Sequence, residues 1–110
     1  DEDYFPVFQA LASCSPAWYF QIIDTFARAG LKYGLSKDSA VEIAAQAMAG
    51  AATLLLAERE AGTIPAQLID RVTSPGGTTI AGLLAAEEGG LSNALVGAVD
   101  ASIHADSHLG

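Results

Sequence analysis

The sequence predicts an all-α protein: a helical bundle with one long apolar central helix shared with a partner subunit. Three observations carry this. Apolar residues recur at spacings of three and four, and no alternating strand pattern persists. The stretch VEIAAQAMAGAATLLL at 41–56 is broken by polar side chains only at Glu42, Gln46 and Thr53, so it is apolar nearly all round, unlike a surface helix with a single stripe. Hydrophobic residues make up 51% of the 110 and the mean hydropathy is +0.33, whereas a domain this short buries only about two-thirds of the surface its unfolded chain exposes. One chain has too little of itself to surround such a helix, so part of the apolar surface is expected to meet a partner subunit.

The opening, DEDYFPVFQALA, has no initiator methionine and brings an aromatic cluster at once, which reads as a continuation of a preceding segment. Pro16, preceded by Ser15 as cap, opens a helix from Ala17 to about Tyr33, with Trp18, Ile22, Phe26 and Ala29 on one face. Gly30 and Gly34 lie near its end, where Leu31 and Leu35 fold back as its last apolar contacts. Ser36 caps the next helix, and Asp38 and Ser39 sit in its first turn, where negative charge suits the exposed amides. That helix contains 41–56, whose small residues at 44, 45, 47, 49, 50, 51 and 52 allow close backbone approach. Glu58, Arg59 and Glu60 return the chain to solvent. Pro65 starts a short helix over Ala66–Val72 with Leu68, Ile69 and Val72 inward. After Pro75 and Gly76–Gly77 comes the apolar run IAGLLAAEEG. A last helix runs from near Ser92 through Leu95, Val96, Val99 and Ile103, fraying after Ala105.

Thirteen Asp and Glu against five Lys and Arg give a net charge of −8, which repels nucleic acid backbones and anionic lipid surfaces. No run of 18 or more apolar residues is present, so no membrane span is expected. A lone Cys14 forms no internal disulfide and has no histidine or lysine partner to activate it, so a buried thiol and a cytoplasmic setting are expected. His104 and His108 share a helix face but lack a convergent third ligand, so no metal site is expected. Glu87 and Glu88 diverge on a helix and read as solvated. Trp18, Tyr19 and Phe20 read as packing residues.

The stretch TSPGGTTI at 73–80 interrupts this alanine-rich pattern. A helix beginning near Thr78 leaves its first amides without acceptors, and the glycines turn the chain without covering them. Such a place attracts a carboxylate or phosphate, and Ser74, Thr78 and Thr79 add three hydroxyl donors. It holds no nucleophile or strong base. A plain capping turn, with Thr78 as the cap, is the alternative. The lysine and spacing of a phosphate-binding loop are missing, as is a dinucleotide fingerprint.

VTSPGGTTIAGLLAAEEGG at 72–90 and ALVGAVDAS at 94–102, supported by SPAWYF at 15–20, AGLKYGL at 29–35 and AAQAMAGAATLLL at 44–56, resemble the C-terminal dimerisation domain of pyrroline-5-carboxylate reductase. The resemblance covers nearly the whole chain. It implies a helical fold like the C-terminal domain of 6-phosphogluconate dehydrogenase, interlocked in a homodimer, with larger rings of dimers also known in the family. The family reduces 1-pyrroline-5-carboxylate to L-proline with NADPH or NADH. By this resemblance Ser74, Gly76, Gly77, Thr78 and Thr79 hold the carboxylate of the imino acid, and Thr79 also hydrogen-bonds the ring nitrogen as a catalytic residue. The cofactor belongs to an N-terminal Rossmann domain absent from residues 1–110, which form the helical dimerisation and substrate-binding domain and are expected to be inactive and cofactor-free alone. The alternative is a catalytically silent oligomerisation or proline-like ligand-binding module. The chain departs from the usual family pattern at 12–18, where Ala12–Ser15 precedes Pro16-Ala17-Trp18, at Ile64 and at Ser92.

Overall fold

The computed structural model describes residues 2–109, with side-chain surroundings for 3–105. Every regular element among them is helical: α1 (Phe5–Gln9), a π-helical segment (Ala10–Cys14), α2 (Ser15–Lys32), α3 (Lys37–Glu58), α4 (Pro65–Arg71), α5 (Thr78–Glu88) and α6 (Leu91–Leu109), with single 3-10 turns at Glu2–Tyr4 and Arg59–Ala61. They fall into two compact units. One comprises the described residues up to Phe20 and from Leu83 onward; the other is Gln21–Gly82.

In the first unit, α1 and the π-helical segment pack on α6, and Ala10 and Ser15 are buried there. The helix does not begin at Pro16 with Ser15 as its cap, as the sequence suggests; it runs through from Phe5 to Lys32. Proline explains the π segment that makes this possible. The Ser15 N–H donates five residues back to the Ala10 carbonyl, and the next rung would need an N–H that Pro16 lacks. The Ser15 hydroxyl donates to the Leu11 carbonyl in its place. Cys14 lies in this segment and is half-buried, more open than a structural thiol was expected to be. The sixth helix starts at Leu91, because the Gly90 carbonyl accepts the Ala94 N–H at 2.8 Å, and it continues past Ala105 to Leu109, where the sequence from 105 to 109 has no proline or glycine to end it.

The second unit is built on the α2–α3 hairpin. Gly34, at φ +101°, ends α2: its N–H reaches the Leu31 carbonyl and the Leu35 N–H reaches the Gly30 carbonyl, both at about 3 Å, a geometry that left-handed glycine permits. Ser36 then caps α3, accepting from the Ser39 N–H at 3.1 Å. Asp24 ties the two helices, pairing with Lys37 at 2.9 Å and with Arg28 at 3.2 Å. The hydrogen bond from Lys37 holds the Asp24 carboxyl below its ordinary range, against a smaller opposing effect of burial. A Cβ on Gly30 would stand 2.9 Å from the Ala40 Cβ, so glycine lets the helices touch at the vertex. Ahead of this point Phe26, Gly30, Ile43, Ala47, Met48 and Ala51 line an open apolar groove of about 520 Å³.

What is buried is small. Among the described residues the fully buried hydrophobics are Ala10, Ala27 and Ala40, while twenty-two large apolar side chains are exposed, including Phe8 at 66%, Phe20 at 70% and Leu56 at 67%. Trp18 is half-buried, whereas Tyr19 and Phe20 are exposed, so neither packs within its own chain as expected. The chain exposes 8469 Å², against about 5,700 Å² for a compact monomer of its mass. Helix α3 and the turn after it, Lys37–Ala61, reach a hydropathy of 1.6. By length and composition alone this is enough to cross a membrane, contrary to the expectation from uninterrupted runs, because three polar residues are too few to lower the average.

Candidate functional site

Helix α4, the turn after it and the start of α5, up to Gly82, lie within the second unit. Isoleucine at 64 offers no side-chain cap, yet the Gln67 side chain reaches back and accepts the Ile64 N–H at 2.9 Å. Pro65 is preorganised for the first helical position. At the far end the Thr73 hydroxyl donates to the Ile69 carbonyl at 2.9 Å, closing α4 just before the turn.

Residues Ser74 to Gly77 form a type II β-turn, closed by the Gly77 N–H to the Ser74 carbonyl at 3.0 Å. Pro75 fits its second position, and Gly76, at φ +70°, supplies the positive φ that its third requires. Gly77 is constrained differently: a Cβ there would meet the Ser74 Oγ at 2.5 Å and the Ser74 carbonyl at 3.2 Å. Helix α5 follows at once. Its first internal bond runs from the Ala81 N–H to the Gly77 carbonyl, so Gly77, rather than Thr78, occupies the cap position. The amides of Thr78, Thr79 and Ile80 therefore have no acceptor within the helix. Among the described residues the hydroxyls of Ser74, Thr78 and Thr79 make no hydrogen bond to protein, and all three residues are exposed.

The structure thus gathers Ser74, Gly76, Gly77, Thr78 and Thr79 on one turn and the first turn of one helix. Three amides, the positive end of the helix dipole and three hydroxyls make a place for a carboxylate. No titratable group stands among these five residues, so the turn can orient and neutralise an anion but has no base of its own.

One feature beside it was not foreseen. Both oxygens of Glu58, at the end of α3, accept from Arg71 Nη1 at 2.9 Å, and Glu58 Oε1 also accepts from the Thr63 hydroxyl at 3.0 Å. The Arg71 hydrogen bond, then that of Thr63, hold the Glu58 carboxyl below its ordinary range, and the same bond raises Arg71. Opposite charges thirteen residues apart follow no helical period, and only the turn at Gly62 brings them together. Nearby, Leu55, Arg59, Gly62, Thr63, Ile64 and Pro65 line a shallower hollow of about 410 Å³. In the first unit Ser92 Oγ donates to Glu87 Oε2 at 2.6 Å. No group of three or more potential metal ligands occurs among the described residues; the His108 side chain lies outside them.

An all-helical chain that turns so many of its large apolar side chains outward has the make-up of an assembly domain. The sequence matches the family described as pyrroline-5-carboxylate reductase dimerisation over residues 2–109, and the chain belongs to that family. It is 45% identical over 103 residues to a pyrroline-5-carboxylate reductase of Treponema pallidum, covering 94% of this chain and 38% of that protein. Pyrroline-5-carboxylate reductase 2 of Homo sapiens is 40% identical over 102 residues, 93% of this chain and 31% of the relative. Among solved structures, the Streptococcus pyogenes 1-pyrroline-5-carboxylate reductase superposes with a TM-score of 0.87 at 39% identity, covering 94% of this chain and 39% of that one. A Plasmodium falciparum pyrroline carboxylate reductase with NADP bound gives 0.90 at 26% identity, covering all of this chain and 41% of its own. The chain therefore spans well under half the length of these relatives.

Proposed function

We propose that this chain joins two copies of a pyrroline-5-carboxylate reductase and contributes the turn that holds the substrate carboxylate. The surplus of exposed apolar surface carries the first part. The chain's 8469 Å² exceeds the compact-monomer value by about 2,700 Å². Two copies would thus have about 5,400 Å² to bury, at the upper end for obligate homodimers. In the catalytic part of the reading, 1-pyrroline-5-carboxylate sets its carboxylate against the amides of Thr78 and Thr79, with Ser74 and Thr78 donating hydroxyls. Thr79 donates to the ring nitrogen, which fixes the imine carbon's orientation. The reduction to L-proline needs a hydride on the imine carbon, which NADPH or NADH would supply when bound, and a proton on the ring nitrogen, which solvent would supply because the turn holds no titratable group. Among the described residues there is no strand–turn–helix unit to cradle a pyrophosphate, so this reading assigns the nucleotide to a Rossmann domain elsewhere in the reductase.

A second reading keeps the assembly and drops the reaction: an oligomerisation module whose turn binds a proline-like ligand. The exposed apolar surface supports it equally, and the lack of a titratable group in the turn favours it.

Light scattering on the 110-residue chain across a concentration series tests the shared part. A mass near twice 11.3 kDa is expected, and a stable folded monomer would overturn both readings. Reduction of pyrroline-5-carboxylate by the reductase that carries this chain separates them.

A further inference from the structure

We propose that Glu58 and Arg71 are positioning residues that fix the 74–79 turn on the end of α3, so that its amides wait in a carboxylate-binding arrangement. This rests on the reading that the turn holds the substrate carboxylate. Arg71 is the last residue of α4, two residues before the Thr73 cap and three before the turn. A single guanidinium nitrogen reaches both Glu58 oxygens at 2.9 Å. Glu58 is itself fixed from two further directions: the Thr63 hydroxyl donates to its Oε1 at 3.0 Å, and the Thr63 N–H donates to its backbone carbonyl at 3.3 Å. The Glu58 side chain is only 27% exposed.

A seven-residue helix with 3-10 and turn segments on both sides has little else to orient it: Ile64, Ile69 and Val72 are all exposed. The Glu58–Arg71 clasp is the only ion pair among the described residues that ties this helix to α3. Releasing it lets α4 and the turn sample arrangements that do not bind a carboxylate. Apparent affinity then falls by the fraction of time the turn is competent. Once substrate is bound the turn is restored, so the effect falls on KM and not on kcat.

The test uses the full reductase carrying Glu58→Ala, Arg71→Ala or the exchanged pair E58R/R71E. For a partly exposed pair, KM for pyrroline-5-carboxylate should rise about three- to fivefold in each single variant. The turnover number and KM for the nicotinamide nucleotide should hold, and the exchanged pair should recover most of the loss. In the 110-residue chain, the hydrogen-bonded Gly77 amide should exchange faster by a similar factor. Variants that melt earlier but keep both KM and Gly77 exchange unchanged would make the pair merely structural and overturn the proposal. A wild-type reductase without activity on this substrate would overturn the proposed catalytic role, and the exchange measurement would still decide whether the clasp holds the turn.

Discussion

Thr79 is the residue on which the catalytic reading depends most, since its hydroxyl is the donor assigned to the ring nitrogen. Thr79→Ala in the full reductase should cost about a hundredfold in turnover, the loss typical when one positioned donor is removed, while Thr79→Ser keeps most activity. Light scattering on the same variant should still report a dimer; unchanged turnover would remove Thr79 from the chemistry. Gly77→Ala separates fit from fold. The added Cβ would collide with Ser74 Oγ, the end of a short side chain that can swing away. The Ser74 carbonyl, 3.2 Å from that Cβ, must give slightly as well, so substrate KM should rise with a modest fall in melting temperature. Acid acts on the Glu58–Arg71 clasp with a definite sign. Glu58 has its carboxyl lowered by Arg71 from an ordinary 4.5, so the clasp is intact above that value and is lost as pH falls through the depressed folded value. Gly77 protection, its exchange measured against that of an unstructured amide at the same pH, should drop only as pH falls through that depressed value, and this step should be absent in Glu58→Gln, whose protection is already reduced at neutral pH.

At the scale of the elements, the helices from Ser36 onward were legible because their punctuation is local. Ser36 as cap acts through its own hydroxyl, Gly34 as stop and Pro65 as start through their own backbones, and the structure uses all three. The turn at 74–77 was legible for the same reason. The entry to α2 was not, because proline after a hydroxyl reads as a helix start, and only a wider rung ladder lets a helix pass through it. That makes Ser15 a structural donor. Ser15→Ala should leave the Leu11 carbonyl without its partner in a part-buried spot and lower stability by about 1 kcal/mol, measurable by thermal denaturation. The Glu58 clasp was equally hidden, since it joins residues across a turn whose direction no pattern announces. Helix α3 showed its apolar character in the sequence but not which of its faces its own chain would leave open. Replacing Ala49 or Ala52, both exposed, with aspartate should cost several kcal/mol if that surface is desolvated by a second copy. The chain should then shift toward monomer or unfold; an intact dimer by light scattering would mean another surface is shared.

At the scale of the whole molecule, the proposed dimer should make assembly and folding one equilibrium. A chain whose fully buried hydrophobics among the described residues are alanines has too little interior to offset its own conformational entropy. Its melting temperature should consequently climb with protein concentration, as it does for dimers without a stable folded monomer; a concentration-independent value would show that one chain closes its own core. The exposed Phe8, Phe20 and Leu56 carry a genetic consequence as well. If each subunit's interior is largely supplied by its neighbour, a damaged copy spoils the sound copy it pairs with. Mixed expression of a normal allele and one altered along α3 should then depress function further than simple loss of half the gene product, which is the behaviour of a dominant lesion.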